Sequence, residues 1–384
     1  MNPLVKKTLR QSLRINKHAV SVANNAYDRL FRSDTLIKSD LTRKQEIHSN
    51  GLMTVHYYPP LQESQIELND GSSLAVEKIA QTIPLVIVPP LAASSLIFDL
   101  LPHRSLVKYF LAKGFPVYLV DWGEPKREHT HLGIKDYVED MLPDAIQHIR
   151  KHSGQQQLSL MGWCMGGLFS LMYTALSQDK HIKNIITIAS PIDSRQGGVG
   201  GGMIAALLGP AKLIRKYTGF RINRLDPKYF RVPGKINSIA FKLTNPIGSL
   251  STYWDLLVNI WDRDFLESHT TTSDFLDNMH DYPGGIMQDF TVKFALNNQL
   301  SKGQMKVGGK TVNFEKIHCS LLAVAGDTDA LVTPAAARKS MELVSSGDKE
   351  FIIAPGGHAG VVMGAKAQSH VWAVAADWLG TRSH

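Results

Sequence analysis

The chain of 384 residues is 43% hydrophobic and 20% charged, which excludes disordered and fibrous proteins and predicts a large folded core. Its formal net charge of +8 favours an anionic partner, but the patterns of a nucleic-acid-binding module do not occur, so no nucleic-acid partner is expected. The two cysteines, Cys164 and Cys319, exclude a disulfide framework and predict reactive or buried thiols in a cytosolic protein.

The N-terminal segment has a basic amphipathic pattern. Apolar residues from Leu9 to Leu30 recur at spacings of three, four and seven, which predicts a helix over residues 4–32. This helix either packs on the body of the protein or contacts a membrane or granule surface. No apolar run reaches about 18 residues and no signal-peptide pattern occurs, so we expect a cytoplasmic protein.

From Pro84 onward, short apolar runs alternate with helical patterns. The runs are "PLVIVPP", "PVYLVDWG", "QLSLMGW" and "IKNIITIAS". Strands joined by long helical crossovers form a mostly parallel sheet covered on both faces, so we predict a doubly wound α/β fold.

This alternation stops after Asp193 and returns near the C-terminus. Residues 194–314 contain a glycine-rich stretch and aromatic-rich helical patterns, which predict an inserted cap. Residues 315–384 add the strands "CSLLAVAGDTD" and "EFIIAPGGH". We therefore predict a helical segment over 1–60, a core formed by 61–193 and 315–384, and a cap over 194–314.

Cys164 lies in "GWCMGG", between a predicted strand and a predicted helix. This is the context of the nucleophile elbow, G-x-S-x-G, with sulfur in place of oxygen. Gly162 and Gly166 allow close approach of the neighbouring backbone, and the helix N-terminus favours a thiolate. We predict that Cys164 is a nucleophile and that Cys319, at the start of a strand, is a packing residue.

The partners of such a nucleophile follow in the order acid, then histidine. His358 in "APGGHAG" is the predicted general base. Asp329 and Asp327 both follow the preceding strand, and we prefer Asp329 as the acid because it precedes the turn into the next helix. Asp327 then orients the loop, and Asp121, which precedes the nucleophile, has a structural role.

The backbone N–H groups of Met165 and of the loop near Leu91 and Ala92 are the predicted oxyanion donors. The histidines His129, His131, His280 and His318 show no metal-ligand spacing, so neither a metal nor a cofactor is expected.

Several of these segments together resemble the polyhydroxyalkanoate synthases, which use a nucleophilic cysteine on the α/β-hydrolase fold. The resembling segments are "VIVPPLAASSLIFDL", "PVYLVDWGEP", "GWCMGG", "IASPIDSR", "NQLSKGQMKVGGKTVNFEKIHCSLLAVAGDTDALVTP" and "GGHAG". The length is similar to the short catalytic subunit of the two-subunit synthases. The resemblance implies polymerisation of (R)-3-hydroxyacyl-CoA with release of coenzyme A, a second synthase subunit, a dimer and a polyester granule surface as location.

The cap departs from the pattern of this family. Its glycine-rich stretch is unusual, and His280 stands where a tryptophan is expected. Two alternatives to a synthase therefore remain. One is a thioesterase, esterase or depolymerase that uses the same triad, and the other is a non-catalytic protein that binds a granule or membrane surface through its basic helix.

Overall fold

The computed structural model describes residues 18–196, 198, 224–243 and 254–383. Its main feature is an eight-stranded sheet. In spatial order, its strands are β1 (Gln45–Asn50), β2 (Met53–Tyr58), β8 (Val117–Asp121), β5 (Leu85–Val88), β9 (Leu158–Trp163), β10 (Ile182–Ile188), β13 (Ser320–Gly326) and β14 (Lys349–Ala354). Strands β8, β5, β9, β10, β13 and β14 are parallel to one another, whereas β2 is antiparallel to both β1 and β8.

Within the described residues, three two-stranded sheets lie outside this main sheet. They are β3 (Gln65–Glu67) with β4 (Ser73–Ala75), β6 (Asp99–Leu101) with β7 (Arg104–Ser105), and β11 (Gln304–Val307) with β12 (Lys310–Asn313).

Helices of the described residues precede, connect and follow these strands. They are α1 (18–31), α2 (Leu106–Ala112), α3 (Leu142–Ser153), α4 (Met165–Ser177), α5 (Gly234–Leu243), α6 (254–259), α7 (Arg263–Asp277), α8 (Gly284–Asp289), α9 (Pro334–Arg338), α10 (Ser340–Leu343), α11 (Gly360–Met363) and α12 (Ala373–Gly380). One-turn π-helical segments precede α3 and α12 and follow α8. Among these residues, no helix combines the length and the apolar character needed to cross a bilayer.

The core consists of two apolar layers, one on each face of the sheet. Alternate residues of a strand face opposite layers, so Val86 and Val88 join one layer while Leu85 and Ile87 join the other. Helices α3 and α4 cover the first face, and α2, α11 and α12 cover the second. The predicted doubly wound α/β fold is confirmed.

Two of the predicted segment boundaries are wrong. Residues 45–58 of the segment predicted to be helical form β1 and β2, which extend the main sheet as an antiparallel pair. The hairpin β11–β12, predicted to be part of the cap, buries Met305, Val307 and Val312 in the layer that contains α4. The helical cap within the described residues is formed by α5, α6 and α7, and most of the glycine-rich stretch lies outside the described residues, as do residues 4–17 of the predicted N-terminal helix.

Phe169 on α4 allows a test of the core. Its ring is fully buried and stacks on Tyr137, with the ring centroids 5.7 Å apart. We expect Phe169→Ala to lower the free energy of unfolding by about 3–5 kcal/mol, because it leaves a cavity in a closely packed layer. Urea denaturation followed by circular dichroism measures the change. Ile79→Ala, at a residue that is 83% exposed, is the control with a change below about 0.5 kcal/mol; equal effects would contradict this account of the core.

Candidate active site

Cys164 lies at a sharp turn between β9 and α4. Its backbone has φ 52° and ψ −116°, a conformation that is costly for a residue with a side chain. The Cys164 N–H donates to the carbonyl oxygen of Ile188 on β10 at 2.8 Å, which fixes the turn to the sheet. The half-buried sulfur is thus placed beside the N-terminus of a 13-residue helix.

Gly162 and Gly166 flank the turn because the backbone around them is too close for any side chain. A Cβ atom on Gly166 would lie 1.9 Å from the carbonyl oxygen of Val88, at the end of β5. A Cβ atom on Gly162 would lie 2.2 Å from the backbone nitrogen of Gly167. Close approach of neighbouring backbone therefore requires glycine at both positions.

His358 and Asp329 follow the C-terminal ends of β14 and β13. The Nδ1 atom of His358 lies 2.8 Å from Oδ2 of Asp329, and the Asp329 carboxylate is fully buried. The other oxygen of Asp329 accepts the backbone N–H groups of Leu331 at 2.8 Å and Val332 at 2.9 Å. These bonds fix the position of the Asp329 carboxylate, which in turn orients the imidazole.

The imidazole of His358 reaches the sulfur of Cys164. Because Asp329 occupies Nδ1, Nε2 is the ring nitrogen that remains for an interaction with the sulfur. Burial disfavours the charged imidazole, but the negative charge of the Cys164 thiolate and the bonded Asp329 outweigh burial and raise the pKa of His358 to about 10. The imidazole of His358 can therefore be protonated in the resting site.

Neighbouring residues fix the loop that carries His358. The indole N–H of Trp163 donates to the carbonyl oxygen of His358 at 3.1 Å, and the two rings lie 5.4 Å apart. Asp327 is exposed and accepts the N–H of Gly356 at 2.8 Å. Of the two candidate acids, the structure thus places Asp329 against the imidazole and Asp327 in the loop-orienting position.

Met165 and Leu91, the predicted oxyanion donors, lie on two adjacent segments. Met165 is the first residue of α4, where an N–H group has no acceptor within the helix. Leu91 follows β5, and the chain just before it passes so close to Gly166 that a Cβ there would lie 2.8 Å from the carbonyl oxygen of Pro89. The indole of Trp122 donates to that same oxygen at 2.8 Å and anchors the loop. The role of both N–H groups remains a prediction.

Cap residues lie next to the two reactive side chains. Phe241 on α5 has its ring 6.4 Å from that of His358. His280, which replaces the expected tryptophan, donates its backbone N–H to the carbonyl oxygen of Ala92 at 2.7 Å. Burial, and after it the negative charge of a Cys164 thiolate, raise the pKa of Tyr282. Sequence analysis missed Phe241 and Tyr282 because neither lies in a motif.

Cys319 and Asp121, which were not predicted to be catalytic, lie in surroundings that differ from those of Cys164 and Asp329. Cys319 precedes β13 at the opposite end from Asp329, and burial raises the pKa of its thiol to about 12, so it is a poor nucleophile. Asp121 accepts the Ser95 hydroxyl at 2.7 Å and the Gly123 N–H at 2.9 Å, and thus holds the turns after β5 and β8.

Comparison with known proteins identifies the fold. A family model described as alpha/beta hydrolase fold matches residues 83–199. A soluble variant of the monoglyceride lipase of Saccharomyces cerevisiae aligns with 90% of this chain and 97% of its own, with a TM-score of 0.53 and 14% sequence identity. The chain is therefore a protein of the α/β-hydrolase fold.

The curated relatives define a narrower group. Three proteins named poly(3-hydroxyalkanoate) polymerase subunit PhaC are similar to this chain. The protein of Haloferax mediterranei is 31% identical over 78% of this chain and 59% of its own length. The protein of Allochromatium vinosum is 29% identical over 79% of this chain and 82% of its own length. The protein of Synechocystis is 26% identical over 90% of this chain and 86% of its own length. The chain is similar to the polyhydroxyalkanoate synthases and spans 59% of the length of the Haloferax relative.

Gly166→Ala tests the steric basis of the turn. We expect the free energy of unfolding to fall by about 1–3 kcal/mol, because backbone atoms of β5 must move to admit the methyl group. The alkylation rate of Cys164 should fall as well, measured by mass spectrometry after iodoacetamide treatment. Gly380→Ala, where the new methyl group would meet no atom within 4 Å, is the matched control. An unchanged Gly166→Ala protein would contradict the close approach.

Titration of His358 tests the charge pairing in the site. Because the folded-state pKa of about 10 exceeds the unfolded value of about 6.5, the stabilisation by this pair is complete below about pH 6.5 and is lost as the pH rises through about 10. We expect Cys164→Ser to lower the pKa of His358, measured by NMR of the histidine ring nuclei, because the hydroxyl carries no charge. Cys319→Ser is the control, and the same titration in all three proteins would contradict the pairing.

Proposed function

We propose that this chain is an acyltransferase that polymerises (R)-3-hydroxyacyl-CoA into a polyhydroxyalkanoate polyester and releases coenzyme A. The observation that carries this proposal is the half-buried thiol of Cys164 at the sharp turn before α4, together with His358, whose imidazole a buried carboxylate orients. The names of the curated relatives support the substrate class. Cys164, His358 and Asp329 are proposed as the catalytic residues.

In the first step, the Cys164 thiolate attacks the thioester carbonyl of the substrate. The oxyanion that forms is held by the backbone N–H groups of Met165 and Leu91, a contribution of about 3–4 kcal/mol per donor. Its collapse breaks the bond to the sulfur of coenzyme A, and the departing thiolate takes the proton of the His358 imidazolium. The products are an acyl-cysteine, neutral His358 and free coenzyme A.

The charge coupling between Cys164 and His358 supports this proton transfer. Acylation removes the negative charge of the sulfur. The attraction between this charge and the imidazolium is the largest of the interactions that raise the pKa of His358. The imidazole then gives up its proton more easily and becomes a base. Acylation thus converts His358 from a charge partner into a general base.

In the second step, neutral His358 takes the proton from the 3-hydroxyl group of another acyl unit. That oxygen attacks the acyl-cysteine, the new ester bond forms, and the Cys164 thiolate leaves beside the imidazolium. Asp329 keeps the ring oriented throughout, since its bond to Nδ1 leaves Nε2 free for both transfers. Sulfur suits this cycle because exchange between thioesters is nearly isoenergetic.

The growing ester survives only if water is kept from the acyl-cysteine. Phe241 and Tyr282 place aromatic rings from the cap beside His358 and Cys164. An apolar wall at this position reduces the access of water and strengthens the charge interactions inside. The cap is therefore proposed to favour transfer to a hydroxyacyl group over hydrolysis.

Exposed apolar side chains on the cap and on α1 support contact with other molecules. Helices α1, α5 and α6 and the segment after α6 expose Tyr27, Leu30, Phe31, Ile236, Ile239, Leu243, Trp254, Leu257 and Trp261. Such large apolar groups favour association with a hydrophobic surface or another chain. A second synthase subunit, a dimer and association with cytoplasmic polyester granules are proposed on this basis.

Removal of the nucleophile tests the function. We expect Cys164→Ala to lower the rate of coenzyme A release from 3-hydroxybutyryl-CoA by about 1,000-fold or more, and to abolish the polymer, because no acyl-enzyme can form. His358→Gln should have a similar effect. Thiol release and turbidity are measured together, with and without a second synthase subunit, and mass spectrometry should locate an acyl group on Cys164.

Cys319→Ala is the matched control and should keep the parent activity, since its thiol is buried at the other end of β13. Release of coenzyme A with free hydroxy acid and without polymer would show a hydrolase instead. Full activity of Cys164→Ala would contradict a cysteine nucleophile. The non-catalytic alternative would gain support if only deletion of residues 1–32 changed granule binding.

A further inference from the structure

A cluster of two histidines and one aspartate lies on elements that carry none of the proposed catalytic residues. His48 is on β1, the edge strand of the main sheet, and Asp144 and His148 are one turn apart on α3. One ligand atom from each of the three residues lies within 4.8 Å of the others. Two separate elements of the fold therefore bring three metal-ligating side chains to one place.

The contacts within the cluster are short. The Nε2 atom of His48 lies 2.8 Å from Oδ2 of Asp144, and Nδ1 of His148 lies 3.2 Å from Oδ1 of Asp144. The two imidazole rings are stacked with centroids 3.6 Å apart and planes 7° apart. Both carboxylate oxygens thus lie close to an imidazole nitrogen, and Nδ1 of His148 also lies 3.0 Å from the backbone carbonyl oxygen of Asp144.

The stacked arrangement of the two imidazole rings suits binding to a single cation. Two stacked imidazolium rings at this distance would repel each other, whereas two neutral rings can both offer a lone pair. Asn50, also on β1, donates its side-chain N–H to Oδ2 of Asp144 at 2.9 Å and so orients the carboxylate. Such a partner behind a ligand is typical of metal sites in proteins.

Access to the cluster is also suitable. The side chains of His48, Asp144 and His148 are 16%, 28% and 33% exposed, so an ion can enter while water completes its coordination. A groove beside the cluster is lined by Asp144 together with Asp136, Glu139 and Asp140. Lys135 pairs with Asp140 and Lys310 with Glu139, so Asp136 and Asp144 are the carboxylates of this groove that form no ion pair with a lysine among the described residues.

We propose that His48, Asp144 and His148 form a site for a divalent transition-metal ion, with Zn²⁺ as the ion that these ligands fit. Two imidazole nitrogens and one carboxylate oxygen suit the ions of this class and leave a further position for water. The bound ion would join β1 to α3 and so fix the antiparallel edge of the sheet to its covering helix. The hydrogen that now bridges His48 and Asp144 is displaced when the ion binds.

Isothermal titration with Zn²⁺ tests the site. The full chain is used without a polyhistidine tag and with Cys164→Ser in every sample, so that the thiolate beside His358 does not compete. We expect one bound Zn²⁺ per chain and a rise in Tm, because the ion binds the folded state. His48→Gln, Asp144→Asn and His148→Gln should each weaken the affinity by about ten-fold or more and remove most of the rise in Tm.

The double substitution His129→Gln and His131→Gln is the control, because it removes two histidines outside the cluster. The proposal is overturned if the three cluster variants bind Zn²⁺ as the parent does, or if the control loses as much affinity as they do. Circular dichroism without metal checks that each variant is folded. His148 is the most exposed of the three, so His148→Gln carries the test if another variant does not fold.

Discussion

The site depends on one backbone constraint, the positive φ of Cys164 between β9 and α4. This conformation turns the chain so sharply that β5 and the first turn of α4 meet at Gly166, where no side chain fits. The same turn directs the sulfur away from the sheet and places it at a helix N-terminus. The strain is offset by the hydrogen bond to Ile188 and by burial of the flanking strand and helix.

A second constraint is the balance of charge in the enclosed site. Burial of a single thiolate or imidazolium would be costly, but the pair compensates, and Asp329 is satisfied by two backbone N–H groups as well as by the ring. The cost of separating these charges makes the state of His358 depend on the state of the sulfur. In the proposed reaction, acylation of Cys164 would thereby change the role of His358 without requiring movement of the loop.

The sequence allowed prediction of the parallel strands and of the residues around Cys164, because buried parallel strands form continuous apolar runs and the elbow requires glycines. The edge strand β1, "QEIHSN", has no buried apolar run, so its sequence does not distinguish it from the helical segment predicted over 1–60. Phe241 and Tyr282 reach the site from the cap, whose path no local pattern specifies. His48 lies 96 residues before Asp144, so only the folded chain reveals their proximity.

The position of β13 and β14 at one edge of the sheet has a consequence for the nascent chain. Residues are added from the N-terminus, so Cys164 and its strand leave the ribosome long before His358. Until β14 docks on β13, the sulfur has neither its imidazole partner nor the loop that Trp163 anchors. A chain without a docked β14 therefore lacks the proposed base, so the proposed chemistry requires that β13 and β14 have paired.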